Sequence, residues 1–192
     1  MTDRFVIWDF DDVPNAYVPD DLLNIENKLS LLMGDSLASD MPENLQFSAD
    51  PDYPNDLLML DSFGNTESII PISPKLKHFL ENKTIPNLEF IPVDMLDHKG
   101  RVLEQYYLLH STEVIDAIDK TQTELEIDDL NDEMYESVED LTLLDESIPQ
   151  EIQIFRIKGL YNAICVSQSL AKEIDDNGFT GIYWQDISDY SS

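Results

Sequence analysis

Two carboxylates separated by one residue, Asp9 and Asp11, follow directly after an apolar run near the start of the chain. Residues 5–13 read FVIWDFDDV. A carboxylate at the end of a strand can act as a nucleophile, and a second one beside it can act as a general acid or base. A pair of this kind can also lie near a bound magnesium ion. The opening segment therefore holds the sharpest candidate for catalytic chemistry in the chain.

This segment resembles the first motif of haloacid-dehalogenase-like phosphatases, in which a hydrophobic strand is followed by Asp-x-Asp-x-Thr or Val. The resemblance implies that Asp9 would attack phosphorus and that Asp11 would act as acid and base. Such enzymes also need a later lysine and a late acidic pair among alternating parallel strands. The acidic pair Asp175 and Asp176 precedes a glycine at a predicted helix end instead. Because a lone motif is a weak signal, we expect no catalytic residue and keep the phosphatase as an alternative.

The other residues of types that can bind metals or act as nucleophiles are scattered along the chain. His78, His98 and His110 lack the i, i+4 spacing of a helical zinc site, and one cysteine cannot build a structural cluster. That cysteine, Cys165, lies in the apolar run AICV, which predicts a buried thiol. The acidic runs lack the glycine and glutamate of an EF-hand loop. We therefore expect no metal, no cofactor and no enzymatic activity.

Acidic residues dominate the charge of the chain. The 192 residues include 40 Asp and Glu against 11 Lys and Arg, which gives a formal net charge of -29. Repulsion of this size opposes folding, and it repels nucleic acids and anionic membranes. A basic protein surface would be attracted. The composition therefore favours a basic protein partner, and a solvated acidic surface without any partner is the alternative.

The sequence also predicts a cellular location. The first residues lack the positive flank and apolar stretch of a secretory signal, and no apolar run approaches the ~18 residues that span a bilayer. A single cysteine fits a reducing compartment. We expect a cytoplasmic protein, and its oligomeric state is left open.

The first 60 residues are predicted to contain a strand, a helix and a long loop. Residues 4–8 favour a strand. Residues 20–33 place apolar side chains near helical spacing and end at Gly34. Residues 34–56 are rich in Pro, Asn, Asp and Ser, which is typical of a surface loop. We expect residues 1–60 to be an N-terminal extension packed on a main domain at residues 61–192.

A strand, a serine, a helix and a second strand occur twice along the chain. Residues 69–93 place Ser73 as a helix N-cap, and residues 164–184 place Ser167 in the same role. We interpret the two as a weak internal repeat. The fold class predicted is α+β, with a mixed, mainly antiparallel sheet and helices packed on it. The strands expected in that sheet are residues 88–93, 106–109, 152–157, 161–166 and 181–184.

Residues 121–155 contain no lysine or arginine. Within them Leu130, Met134, Val138 and Leu141 follow at spacings of four, four and three, which predicts an amphipathic helix with an acidic outer face. Interleaved apolar residues distinguish the stretch from a disordered acidic tail. The residues predicted to contact a partner are Asp128, Asp129, Asp132, Glu133, Glu136, Glu139 and Asp140, with Tyr135 as an aromatic anchor.

From about residue 60 to the C-terminus the sequence resembles immunity-protein family eleven, a bacterial family formerly described as a domain of unknown function. The resemblance rests on the order and spacing of short segments, while residues 1–60 match less clearly. The segments are ISPKL (72–76), LEFIPV (88–93), YYLL (106–109), VID (114–116), LLDESIP (143–149), IFRIKG (154–159), ICVS (164–167) and GFTGI (178–182).

The resemblance implies a protein that protects its maker from a polymorphic toxin, often one delivered by contact-dependent or type VI secretion, and it implies no catalytic residues. Combined with the charge, it leads us to expect a one-to-one complex in which acidic residues block a basic active site. A nuclease acting in the cytoplasm is the leading candidate, and an ADP-ribosyltransferase comes next. A DNA mimic that blocks a host DNA-binding protein is the alternative from a different class.

Overall fold

The computed structural model describes residues 4–37, 42–129, 131 and 133–191. This part of the chain forms three α-helices, which are α1 Lys28–Met33, α2 Pro74–Glu81 and α3 Gln168–Asp176. Its twelve strands, in chain order, are β1 Phe5–Asp9, β2 Pro19–Leu23, β3 Gln46–Ala49, β4 Ile70–Ile72, β5 Leu88–Leu96, β6 Val102–Ser111, β7 Val114–Ile115, β8 Glu124–Ile127, β9 Tyr135–Glu139, β10 Ile154–Ile157, β11 Leu160–Ser167 and β12 Tyr183–Asp186.

The strands form two five-stranded sheets and one separate hairpin. Sheet I has the order β12-β1-β11-β10-β7, sheet II has the order β2-β3-β5-β6-β4, and β8 pairs with β9 alone. Among the described residues, only the β7–β10 and β3–β5 pairings are parallel, and the other seven pairings are antiparallel. The predicted α+β class with mixed, mainly antiparallel pairing is confirmed. The prediction of one sheet is wrong, because the expected strands divide between two.

Three apolar cores hold these layers together. The middle core joins sheet I, sheet II and the inner faces of α2 and α3, with Val166, Ile72 and Leu76 among its buried members. A second core lies on the other face of sheet I and includes Phe155 and the hairpin residue Val138. The third covers the other face of sheet II. Each sheet is therefore buried on both faces, which explains the continuous apolar run at residues 163–166 of β11.

The two longer helices begin as the sequence predicts. Ser73 caps α2 by accepting a hydrogen bond from the Leu76 N–H, and Ser167 caps α3 through the Leu170 N–H. Each helix joins two parallel strands that have one antiparallel strand between them, β6 in sheet II and β1 in sheet I. The internal repeat itself stays a prediction.

The helix predicted over residues 20–33 is wrong in its first half. Leu22 pairs with Phe47 in an antiparallel ladder between β2 and β3, so the expected loop at 34–56 also contains a strand. Asn24 has φ +64, a left-handed conformation that a helix does not tolerate. The helix begins only after Asn27, whose side chain accepts a hydrogen bond from the Leu29 N–H.

The first 60 residues contribute strands to both sheets. β1 lies between β11 and β12, with Val6 opposite Val166 on one side and Asp186 on the other. β2 and β3 extend sheet II beyond β5. The division of the chain into an extension and a main domain at residue 60 stays a prediction.

Candidate protein-binding surface

The acidic stretch is a β-hairpin, so the amphipathic helix predicted there is wrong. β8 and β9 pair antiparallel, with Glu124 opposite Glu139 and Leu125 opposite Val138. Polar and apolar residues alternate through Glu124, Leu125, Glu126 and Ile127, a period of two that favours a strand. Leu130, one of the residues behind the helical spacing, lies outside the described residues. Val138 lies in β9, whereas Met134 and Leu141 lie outside the strand. Their helical spacing therefore does not correspond to a helix.

A bulge sets which side chains of β9 face the protein. Glu126 pairs with Ser137 while Ile127 pairs with Tyr135, so Glu136 is the extra residue. A bulge of this kind redirects the side chains that follow it. As a result Tyr135 lies on the same side as Val138, which is fully buried against sheet I.

Tyr135 holds the hairpin against the body of the protein. Its backbone N–H donates to the Gly159 carbonyl oxygen at 3.0 Å. Gly159 has φ +82, and a Cβ built there would lie 2.7 Å from Tyr135 Cε2. The Tyr135 ring thus fills space that only glycine leaves open. The predicted aromatic anchor is half-buried inside this protein, and its contact with a partner stays a prediction.

The outer face of the hairpin carries only acidic charge. Glu124, Glu126, Glu136 and Glu139 are all exposed. Glu124 lies directly opposite Glu139 across the two strands, an arrangement of like charges that destabilises an isolated sheet. Ser137 Oγ donates a hydrogen bond to Glu126 Oε2 at 3.1 Å. This face is therefore electrostatically unfavourable until a cation approaches it.

The turn between the two strands adds further acid. The Asp128 N–H donates to the Met134 carbonyl oxygen, and Asp128 Oδ1 accepts from the Asn131 N–H, each at 3.0 Å. Asp129 and Glu133 are exposed on the turn. These bonds order the turn and hold its carboxylates at one end of the hairpin.

The structure brings together most of the residues predicted to contact a partner. Asp128, Asp129 and Glu133 lie on the turn, while Glu136, Glu139 and the exposed Asp140 lie on or just after β9. Asp132 lies outside the described residues. Sequence reasoning missed Glu124 and Glu126, which β8 places beside β9. The alternating ELEI pattern was the signal that could have identified them.

Two lysines lie beside the turn end of the hairpin. Lys120 and Lys158 line a cavity of ≈ 200 Å³ together with Asp116, Glu133 and Tyr135. Lys120 Nζ lies 3.8 Å from Asp116 Oδ1 and 6.0 Å from the centroid of the Tyr135 ring. Hydrogen bonding to the Tyr135 side chain raises the pKa of Lys120. Lys120 is thus paired within the chain, and Lys158 lies in the same cavity as the turn carboxylate of Glu133.

The candidate catalytic pair lies at the end of β1. Asp9 Oδ1 accepts a hydrogen bond from the N–H of the next residue, Phe10, at 2.8 Å, and Asp11 is exposed. β1 pairs antiparallel on both sides, whereas the phosphatase scaffold requires parallel neighbours. Within the described residues, no three His, Cys, Asp or Glu side chains lie close enough together to hold a metal ion.

The cysteine and one of the three histidines are buried. Cys165 is fully buried in β11, as predicted, and burial raises the pKa of its thiol. His110 is buried in β6 with Nε2 2.8 Å from the Asp35 carbonyl oxygen, and burial lowers its pKa. Neither group reaches the hairpin surface. Of the helices described, none has both the length and the apolar character required to cross a bilayer.

Comparison with known proteins places the chain in a family. No curated protein matches the sequence at a significant level. The model of the immunity protein family Imm11 matches residues 9–189, which include sheet II, the acidic hairpin and all of sheet I except residues 5–8 of β1. The match begins within β1 and ends after β12, so it extends well before the residue-60 limit of the resemblance seen in the sequence. The chain therefore belongs to the Imm11 immunity protein family.

Proposed function

We propose that this protein binds one cognate toxin in the cytoplasm and neutralises it by covering the toxin's active site, without catalysis of its own. Membership of an immunity protein family supports the binding of a toxin. The charge of -29 supports a basic toxin, and a nuclease fits best because its phosphate-binding cleft is basic. A cytoplasmic site of action and delivery by a type VI or related system belong to the same proposal.

The observation that carries the proposed mode of binding is the outer face of the β8–β9 hairpin. Its four exposed glutamates include a directly opposed pair, Glu124 and Glu139. A lysine or arginine of the toxin placed between these two carboxylates would remove their repulsion and form charge-assisted hydrogen bonds. The wider acidic field would steer the encounter and raise the association rate. We include Asp128, Asp129, Asp132, Glu133, Tyr135 and Asp140 in this contact surface.

Co-expression with a toxin tests the function directly. The domain to co-express is the C-terminal domain of the protein that the reading frame immediately upstream encodes. We expect growth rescue and a stable one-to-one complex. Failure of both rescue and binding would contradict the immunity proposal. Binding to many unrelated basic proteins, with competition by DNA, would favour the DNA mimic instead, and magnesium-dependent phosphatase turnover abolished by Asp9→Asn would favour the phosphatase.

A charge-neutral variant of the hairpin tests the surface. Changing Glu124, Glu126, Glu136 and Glu139 to glutamine removes four charges without changing side-chain size. The matched control changes four exposed glutamates elsewhere, Glu26, Glu43, Glu146 and Glu151. We expect the hairpin variant to slow association and weaken binding at least about tenfold more than the control. Its salt dependence should also be flatter. Equal affinities for the two variants would contradict this surface and leave the immunity role standing.

A further inference from the structure

A second exposed surface, far along the sequence from the hairpin, combines apolar side chains with acid. Tyr53, Leu57 and Leu58 are 50%, 49% and 49% exposed. Nine large apolar side chains are exposed among the described residues, and these three occur within six consecutive positions. Scattered exposed leucines need no explanation, but a local group of large apolar residues indicates an interaction site.

The loop that presents these side chains is held at both ends. The Asp50 N–H donates to the Val18 carbonyl oxygen at 3.0 Å, and the Tyr53 N–H donates back to Asp50 at 3.2 Å. At the other end the Leu58 N–H donates to the Asn15 carbonyl oxygen, and the Leu58 carbonyl oxygen accepts from the Tyr17 N–H, each at 2.9 Å. Little ordering of this loop is then required on binding, which favours affinity.

A cavity lies between this loop and the segment that follows β1. The cavity has a volume of ≈ 430 Å³, and Tyr53 and Asp56 line it on one side. Asp11 and Asp12 line it on the other side, and the buried ring of Phe63 contributes to its wall. Three carboxylates and several aromatic rings thus meet in one concave site.

The described residues that line this site include no lysine or arginine. Along the sequence, residues 5–27 and 29–74 contain none either. Aromatic rings beside carboxylates favour a guanidinium or ammonium group, which can make ion pairs and stack on a ring at the same time. The electrostatics therefore select a cationic side chain over a neutral or anionic one.

We propose that the loop at residues 50–58 and the adjoining cavity form an apolar docking surface for a basic protein, with the cavity receiving one arginine or lysine side chain of that protein. The exposed leucines and tyrosine supply the desolvated centre of the contact, and the surrounding aspartates supply its charged rim. The inference rests on the proposed function, because it identifies this basic protein with the toxin. It adds a second contact on a different part of the molecule from the hairpin.

A titration with N-acetyl-arginine amide tests the cavity without any toxin. We expect saturable amide chemical-shift changes at residues 11–16 and 53–63, which Asp56→Asn weakens several-fold. The matched neutral probe, N-acetyl-norleucine amide, should cause much smaller chemical-shift changes at these residues. Absence of arginine-dependent shifts in this region would overturn the proposed cationic site.

The complex with the upstream-encoded toxin domain tests the docking surface. Leu57→Ser leaves the backbone bonds of the loop in place and should weaken binding at least about tenfold. The matched control is Leu29→Ser, since Leu29 is a similarly exposed leucine in α1 at 45%. Unchanged affinity with Leu57→Ser in a chain that still rescues growth would overturn the docking surface and leave immunity intact. The toxin domain could fail to bind while N-acetyl-arginine amide still changes the amide chemical shifts of the loop. That outcome would contradict the proposed toxin partner and leave the cationic site standing. Sedimentation of the free chain as a dimer that Leu57→Ser dissociates would assign the surface to self-association and overturn the proposal.

Discussion

Gly181 lies where the two sheets meet, and replacing it tests this junction. Its φ is +81, and a Cβ built on it would lie 3.1 Å from two side-chain carbons of Leu60 and deep inside van der Waals contact with the Ser62 carbonyl oxygen. The neighbouring Thr180 carbonyl oxygen accepts from the Ser62 N–H at 3.1 Å. A methyl group at residue 181 must therefore push apart backbone segments that this hydrogen bond holds together.

A matched glycine separates the two contributions to the expected loss. Gly178 has φ +69 but nothing within 4 Å of a built Cβ. In Gly178→Ala the left-handed backbone conformation of alanine costs about 1–2 kcal/mol of stability. About 0.4–1 kcal/mol of this loss is offset because alanine has less conformational freedom than glycine in the unfolded chain. Gly181→Ala has the same backbone cost and the same offset. The steric clash of the new methyl group costs about a further 1–3 kcal/mol, the usual range for overpacking, or more. We expect Gly181→Ala to be less stable than Gly178→Ala by about 2 kcal/mol.

Urea unfolding of the two variants measures this difference. Trp8 and Trp184 pack edge to face with ring centroids 5.1 Å apart, and Trp8 is buried, so tryptophan fluorescence should report unfolding. In thermal melts the gap corresponds to about 4–8 °C for a chain of this size. Equal stability of Gly181→Ala and Gly178→Ala would refute the close approach of the two segments.

Three further predictions concern single side chains. Ser73→Ala should lower the free energy of unfolding by about 1–2 kcal/mol and Ser167→Ala by about 0.5–1 kcal/mol. The Ser73 hydroxyl also donates to the Asp61 carboxylate at 2.7 Å, whereas the second contact of the Ser167 hydroxyl is with the neutral Ser169 hydroxyl at 3.2 Å. The reverse order in urea unfolding would contradict this. The hydrogen bond from Arg101 lowers the pKa of Asp97 from 3.8 to about 2, so the stabilisation it gives is complete above about pH 4 and declines as the pH falls towards 2. The stability difference between the wild type and Asp97→Asn should follow that course, and a difference independent of pH would refute it. Because burial raises the pKa of the Cys165 thiol, Cys165 should react with a disulfide reagent only as the protein unfolds. Modification of the folded protein within minutes would contradict its burial.

The sequence predicted the composition of the acidic surface but not its secondary structure. Most of the acidic residues singled out from the sequence are exposed together, because a stretch without lysine or arginine stays acidic in any conformation. The form of the surface did not follow from the spacing, since Val138 and Leu141 can face a core from a helix or from a hairpin. Glu124 and Glu126 joined the surface only through the pairing of β8 with β9.

The sequence by itself determined the acidic charge, the α+β class, the N-caps of α2 and α3 and the buried cysteine. Each of these depends on composition or on residues close together in the chain. Tertiary structure alone decided that the predicted strands divide between two sheets and that Leu22 lies in a strand opposite Phe47 instead of in a helix. It also decided that Tyr53 and Asp56 share a cavity with Asp11. These outcomes depend on hydrogen bonds and packing between segments tens of residues apart, whose free energy outweighs local conformational preference.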